Sequence, residues 1–474
     1  MLDTQWASTL YVVIGAARGL VTPASAETPG LVWIFPFVAL LLMIAVLPLV
    51  PTLAKSWERN QNKLYVSLVL ASVIFIYYNH RGYGYAGAVA GLPSVVKLIE
   101  HAIFFDYLPF IIMLFSLYTI SGGVRLSGDI PAHPVTNTLI LLCGTTLASV
   151  VGTTGASMLL IRPLLQINRE RKKVRHTVIF FIFLVSNIGG CLLPVGDPPL
   201  FLGYLRGVPF LWTLRLFLPG ALVAGALLLV YYVLDCRAYR RERPEDLRID
   251  ETIRIPLRLE GKINFLLLAG VVLSVALLVP GQRLLTTNWT VPDIWLREGV
   301  ELLLTACSFL LTPRHIYTAN HFSLHAISEV AYLFLGVFMT MQVPVEILRA
   351  RGMSLGVDSP MEFFWATGML SSFLDNAPTY AVFFELAGTL NISGQVVLDN
   401  VATSTGHIGA SHLLAISCGA VFMGATTYIG NGPNFLVKSI AEHHGIMMPS
   451  FFGYMKWSTQ ILLPVFAVLS WLFF

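Results

Sequence analysis

Two stretches about half the chain apart repeat one another, and each is an apolar segment broken by glycine and proline with an acid or amide at the break. The first copy runs through VVGTTGASMLLIRPLL (150–165) and SNIGGCLLPVGDPPLFLGYL (186–205). The second runs through SSFLDNAPTYAVFFELAG (371–388) and GAVFMGATTYIGNGPNFLVK (419–438). Superposed, Thr154 meets Asp375, Gly196 meets Gly430, Asp197 meets Asn431, Pro199 meets Pro433 and Phe201 meets Phe435. Backbone that is neither helix nor closed barrel survives in a bilayer only where it lines a protein-walled cavity. Paired breaks in corresponding places of two repeats point to a transporter's binding site near the membrane midplane.

Composition places the chain in a membrane. Apolar residues make up 56% of it, charged residues 12%, and mean hydropathy is +0.73; a soluble protein carries about 25% charged residues. Candidate spans are 31–54, 64–79, 102–125, 176–210, 211–235, 263–280, 294–312, 325–348, 408–445 and 452–474. The stretches 135–167 and 360–390 are too long for one span and too short for two, and they are interrupted by GTTGAS and LDNAP. Each reads as a re-entrant helical hairpin. The expected fold is an all-α polytopic bundle of about 10–12 transmembrane helices in two inverted repeats. The repeats are 31–235 and 263–474, joined by a charged linker at 236–262. Residues 1–30 stand apart. A short apolar run ending near Ala24-Ser25-Ala26 fits a cleaved leader, but Asp3 and the lack of a preceding Lys or Arg fit one poorly. Removal and a first membrane helix both stay open.

Basic residues support the inversion. The loop at 166–176 carries Arg169, Arg171, Lys172, Lys173 and Arg175 and should be cytoplasmic, whereas its counterpart 391–412 has no Lys or Arg. Lys55, Arg59 and Lys63 fall on the same cytoplasmic side, as does the linker 236–262; Arg349 and Arg351 fall outside against the rule. The net charge of +4 follows from these loops and implies no nucleic-acid partner. The five cysteines show no CxxC spacing and read as small apolar packing residues. No Walker motif, dinucleotide glycine pattern, nucleophile elbow or HExxH is present, so the chain does not read as an enzyme, and no cofactor is called for.

An acid deep in a bilayer costs roughly 2.5–3.5 kcal/mol on insertion scales and usually faces a polar cavity. Asp197 precedes Pro198-Pro199, and Asp375 precedes Asn376 with Pro378 close behind. Freed carbonyls and a carboxylate at such breaks form an oxygen cage for Na⁺, or a site for H⁺. The competing reading makes each aspartate the cap of a half-helix. With them, Thr154, Asn187, Asn376 and Asn431 make up the candidate ion or substrate site. Thr153, Ser157, Thr379, Thr426, Thr427 and Asn434 are candidate substrate ligands, each equally able to join helices. Glu385, inside FFELAG, is either a proton carrier or the partner of a basic side chain. Glu346, Asp106 and His443-His444 read as interfacial or solvated groups.

SNIGGCLLPVGDPPL and SSFLDNAPTY resemble the Gly-Gly…Pro…Gly-Asp element and the Asp-Asn-x-Pro hairpin of NhaD-type sodium/proton antiporters. IGNGPNFLVKSIAEHHGI is similar to an element of the wider ion-transporter superfamily, which includes arsenite permeases and citrate/dicarboxylate carriers. The resemblance implies the inverted-repeat fold with two hairpins, a homodimer in many members, Na⁺ near the hairpin tips, and ion-binding roles for Asp197 and Asp375. The chain departs from the antiporter pattern in having Pro-Pro-Leu after Gly-Asp and Thr-Gly-Ala-Ser at the first hairpin tip. The two surviving aspartates favour Na⁺/H⁺ antiport in a bacterial inner membrane. Hydroxyl- and amide-rich breaks with opposed helix N-termini leave Na⁺- or H⁺-coupled citrate symport as the alternative, with an oxyanion as a further substrate class.

Overall fold

The computed structural model describes residues 28–252, 255–283, 289–292, 295–352, 356–390 and 399–474. The leader or first helix expected within 1–26 lies outside these residues. The first half contributes α1 (Phe35–Val46), α2 (Asn60–His80), α3 (Leu108–Gly122), α4 (Pro134–Val151), α5 (Thr153–Ile167), α6 (Arg175–Leu184), α7 (Pro198–Leu205) and α8 (Phe217–Tyr239). The second half contributes α9 (Ile263–Leu277), α10 (Leu296–Leu311), α11 (His325–Thr340), α12 (Gln342–Arg351), α13 (Pro360–Phe373) and α14 (Asn376–Leu390). It ends in α15 (Ala410–Met423), α16 (Gly432–His443) and α17 (Phe451–Phe473). Among the described residues, five stretches are long and apolar enough to cross a membrane: Leu92–Gly122, Pro134–Val151, Phe210–Tyr239, His325–Arg351 and Phe451–Phe473. Shorter apolar helices lie at Leu31–Val46, Arg175–Cys191, Ile263–Leu277 and Ala410–Thr426. The fold is all-α and polytopic.

The two interrupted stretches are helix pairs. α4 starts with Pro134 at its first position, reverses at Gly152 (φ +81°) and returns as α5. α13 also opens on a proline, Pro360, behind a Ser359–Glu362 capping box, and reverses at Leu374–Asp375 into α14. Proline at the first turn costs no helical hydrogen bond, because its missing N–H would have had no partner there. α5 and α14 are both 15 residues long. Thr153 and Asn376 are their first residues, which moves the register of the repeat by two: Gly152, not Thr154, occupies the place of Asp375. Sequence superposition matched polar to polar; the backbone matches the residue that ends the reversal.

The apolar stretches 176–210 and 408–445 are each a broken helix. After α6 the chain passes through short 3₁₀ turns at Ile188–Cys191 and Pro194–Gly196 before α7 begins. After α15 it passes through Gly424–Thr426 before α16. The breaks share one internal close approach. A Cβ on Gly196 would collide with the carbonyl oxygen of Gly190, and one on Gly430 would lie 2.6 Å from the carbonyl oxygen of Gly424 and 2.8 Å from that of Ser371. Backbone cannot retreat as a side-chain tip can, so Gly430→Ala is expected to cost roughly 1–3 kcal/mol by overpacking. Thermal unfolding of the detergent-purified variant checks this; a midpoint equal to wild type would show that the break has slack.

Each half reaches into the other: α7, after the first break, packs on α14, and α16, after the second, packs on α5. α6 sits at the centre, buried at every residue from His176 to Leu184, as a helix apolar on all sides must be. Two arginines of the topology count are engaged by carboxylates. Arg171, in the loop 166–176, is buried and donates two hydrogen bonds to Asp235 of α8, at 2.5 and 3.2 Å. His176, Tyr231 and Asn137 close the same carboxylate at 2.9, 3.2 and 3.3 Å. Arg349, which breaks the positive-inside pattern, is tied by its Nε to Glu385 at 2.9 Å. The linker is also more ordered than its charge suggested, with a helix at Pro244–Thr252. Its β2 (Ile255–Glu260) pairs antiparallel with β1 (Arg125–Asp129), Arg125 opposite Glu260.

Candidate functional site

Asp197 is the meeting point of the two hairpins and the two breaks. It stands at the N-cap position of α7 with φ −146° and ψ 141°, yet its side chain makes no capping bond. The carboxylate turns instead to the opposite elements. Thr153 Oγ1, from the first hairpin tip, donates to Oδ1 at 3.0 Å; Asn376 Nδ2, from the second, donates to Oδ2 at 2.7 Å. Asn431 Nδ2, from the second break, lies 3.5 Å from Oδ1. Asn431 is the mirror of Asp197, an N-cap of α16 with φ −153°, ψ 139° and again no capping bond. Its amide also donates to the Ser186 carbonyl at 3.0 Å and Asn187 Oδ1 at 3.2 Å.

The same web ties in most of the remaining candidates. Asn187 Nδ2 donates to Asn434 Oδ1 at 2.7 Å, and Asn434 Nδ2 holds the carbonyls of Gly424 and Thr427. Ser157 and Ser186 hydroxyls meet at 2.8 Å. Thr427 Oγ1 donates to the Ser372 carbonyl and accepts from the N–H groups of Ile429 and Gly430, so it fixes the second break to the second hairpin. Thr379 Oγ1 bonds back to its own helix at the Asp375 carbonyl. Two buried acceptors in this region have no partner, Asn376 Oδ1 and Thr426 Oγ1.

Asp375 differs from Asp197. Its carboxylate lies against the backbone N–H groups of Asn376 and Ala377, so it caps α14. It also lines a cavity of about 920 Å³ with Thr153, Thr154, Gly155, Asn431 and Gly432. Thr154 enters only as part of that wall, with no side-chain hydrogen bond among the described residues. Farther out the cavity is lined by Lys55, Glu58, Arg59, Lys63, His325 and Glu329, with Lys63 and Glu329 paired at 2.6 Å. The first-turn N–H groups of α5 have no intrahelical partner and belong to the same wall. The geometry can therefore present helix N-termini, one carboxylate and amide oxygens to a small charged solute.

Glu385 stands apart from this web. Arg349 Nε at 2.9 Å and Arg206 Nε at 3.5 Å hold it at the far end of α14, so the pairing with basic side chains is the arrangement found. Among the described residues, no group of three His, Cys, Asp or Glu is placed to hold a metal ion. Sequence reading passed over Glu301 in α10, which is fully buried. The readable signal was its place in a polar series, Glu298, Glu301, Thr305 and Ser308, at helical spacing inside a span.

No curated protein matches the chain. A family model described as "Putative citrate transport" matches residues 26–474, both repeats and the linker together. The chain belongs to this citrate-transport family, within the ion-transporter superfamily that its breaks and hairpins resemble.

Proposed function

We propose that the protein is a secondary transporter that carries a small carboxylate of the citrate class, coupled to Na⁺ or H⁺. The observation that carries the reading is the single cavity shared by the first turns of α5 and α16, each an N-terminus with a glycine in its wall. Such termini hold anions through free N–H groups and the helix dipole. Lys55 and Arg59 in the outer wall favour entry of an anion, and about 920 Å³ is within the range of small-molecule sites. Asp375 and the unpaired Asn376 Oδ1 supply the oxygens for a coupling cation beside it. The inverted arrangement of 31–235 and 263–474, with 166–176 and 236–262 cytoplasmic, belongs to this reading. It places the mouth at Lys55 and Arg59 on the cytoplasmic side.

Labelled citrate uptake into proteoliposomes, driven by an imposed Na⁺ or pH gradient, tests the assignment. Uptake above protein-free liposomes that falls at least tenfold in Asp375→Asn supports it; gradient-independent background in the wild type sinks it. Sodium/proton antiport is the second reading, favoured by the exposure of the Asp375 carboxylate to the cavity. Its signature is dissipation of a pH gradient by Na⁺ or Li⁺ with no citrate present. Thr154→Val separates the two as well: a ligand of the anion raises the half-saturating citrate concentration severalfold, whereas cation exchange at Asp375 stays close to wild type.

A further inference from the structure

α10 is built inside out. Arg297, Glu298, Glu301, Thr305 and Ser308 are all buried, while Leu303 and Leu310 are 63% and 83% exposed. In a bilayer this is the expected outside, but the buried stripe is polar from end to end of a helix that spans about 24 Å. It faces α3 and α9. At the first end the Arg297 guanidinium is paired with Glu298 and lies over the rings of Phe201 and Tyr204 in α7, at 6.0 and 5.8 Å. At the other end Ser308 Oγ donates to Asn264 Oδ1 at 2.6 Å and meets the Tyr317 hydroxyl at 2.7 Å.

Between these ends stands Glu301. Its main-chain carbonyl accepts from Thr305 Oγ1 at 2.8 Å and Ser116 Oγ at 3.3 Å, but both carboxyl oxygens are buried with no hydrogen-bond partner among the described residues. One cation, Arg297, lies within electrostatic reach, and two acids share it. On its own helix, Arg297 is in contact with Glu298 and reaches Glu301 only through space, so it leaves two acids with one positive charge. α9 has no ionisable side chain, and α3 offers only Tyr118, which donates to the Ser323 carbonyl at 2.8 Å. Tyr204 of α7 donates to the Val275 carbonyl. A carboxylate left ionised and unbonded in such a place costs several kcal/mol, and a bound proton removes the charge.

We propose that Glu301 is a proton-binding site of the transport cycle, reached along the polar stripe of α10 and coupled to the substrate cavity through α7. In this conformation its carboxyl holds the O–H bond; when the C-terminal end of α7 shifts against Arg297, water reaches the carboxyl and accepts the proton. α7 is the natural link because Asp197, inside the web, immediately precedes it and Tyr204, in its last turn, lies beside Arg297. The inference rests on the carboxylate-carrier reading for its role in transport, but not for the presence of the proton.

The experiment reads the two separately. Infrared difference spectra of the protein in lipid nanodiscs, stepped in pH, should show the carbonyl stretch of a protonated carboxyl that disappears in Glu301→Gln. Glu301→Asp keeps an ionisable group and should keep a displaced band, which guards against a folding artefact. In proteoliposomes, one coupled proton turns a one-unit pH gradient into a roughly tenfold citrate accumulation ratio. Glu301→Gln should bring that ratio close to one. A wild-type spectrum lacking a band that Glu301→Gln removes, or a variant that still accumulates citrate on a pH gradient alone, overturns the proposal. If neither protein moves citrate while the band is present and lost as expected, the substrate reading fails and the proton site stands.

Discussion

Asp197→Ala should abolish gradient-driven transport and lower stability together, because one carboxylate joins four elements. Removing it leaves the Thr153 hydroxyl and the Asn376 amide buried without their acceptor, while the Asn431 amide keeps the Ser186 carbonyl and Asn187 Oδ1. Each orphaned donor costs roughly 1–3 kcal/mol. Asp197→Asn is the more informative variant. Its amide retains one oxygen, whereas donors approach both Oδ1 and Oδ2. The amide nitrogen must then face a former donor, so either the Thr153 hydroxyl or the Asn376 amide has to reverse its role. We expect Asp197→Asn to lose transport and to melt between wild type and the alanine variant. A variant that transports and melts like wild type would show that the web tolerates neutralisation and that Asp197 carries no ion.

The second large effect is expected far from the cavity. Arg171 and Asp235 are fully buried, and they join the end of the first hairpin to α8. Breaking such a pair by deleting one partner typically costs about 3–5 kcal/mol, since the other charge is left in place. Asp235→Ala should therefore reduce the yield of folded protein sharply, and Arg171→Met should do the same. The double variant should recover part of the loss, because two apolar side chains remove both buried charges. Fluorescence-detected size exclusion of the three variants, with thermal midpoints where they survive purification, measures the coupling. Equal losses in all three would mean that packing volume, and not charge, sets the stability there.

How much of this was legible varies with the physics. The breaks and hairpins were visible because Gly189-Gly190, Pro194, Gly152 and Pro378 interrupt apolar sequence, and interruptions are local. Helix ends were close for the same reason: 452–474 became Phe451–Phe473 and 360–390 became the α13–α14 pair. The duplication marked Asp197 and Asn431 as equivalents, and their backbone angles agree within a few degrees. Sequence could not say that Asp197 turns from its own helix to the opposite hairpin while Asp375 stays as a cap. That choice depends on donors 179 and 234 residues away. Charge counting gave Arg171 a side of the membrane but not its burial, because its partner Asp235 lies 64 residues further on. Glu301 escaped notice because a hydropathy window averages a polar stripe away.

The crossed packing of the two halves has a consequence for how the protein is made. Asp197 leaves the ribosome long before Asn376, which is 179 residues downstream. At about 5–20 residues per second, that is a wait of roughly ten to forty seconds for the chain to supply its partner. During that interval the first half sits in or beside the insertion machinery with a carboxylate and a broken helix that nothing yet encloses. Biogenesis must therefore hold the first breaks in a wet or chaperoned place until the second hairpin arrives. Slowing synthesis after the linker should raise the fraction degraded, and supplying the second half as a separate polypeptide should rescue it.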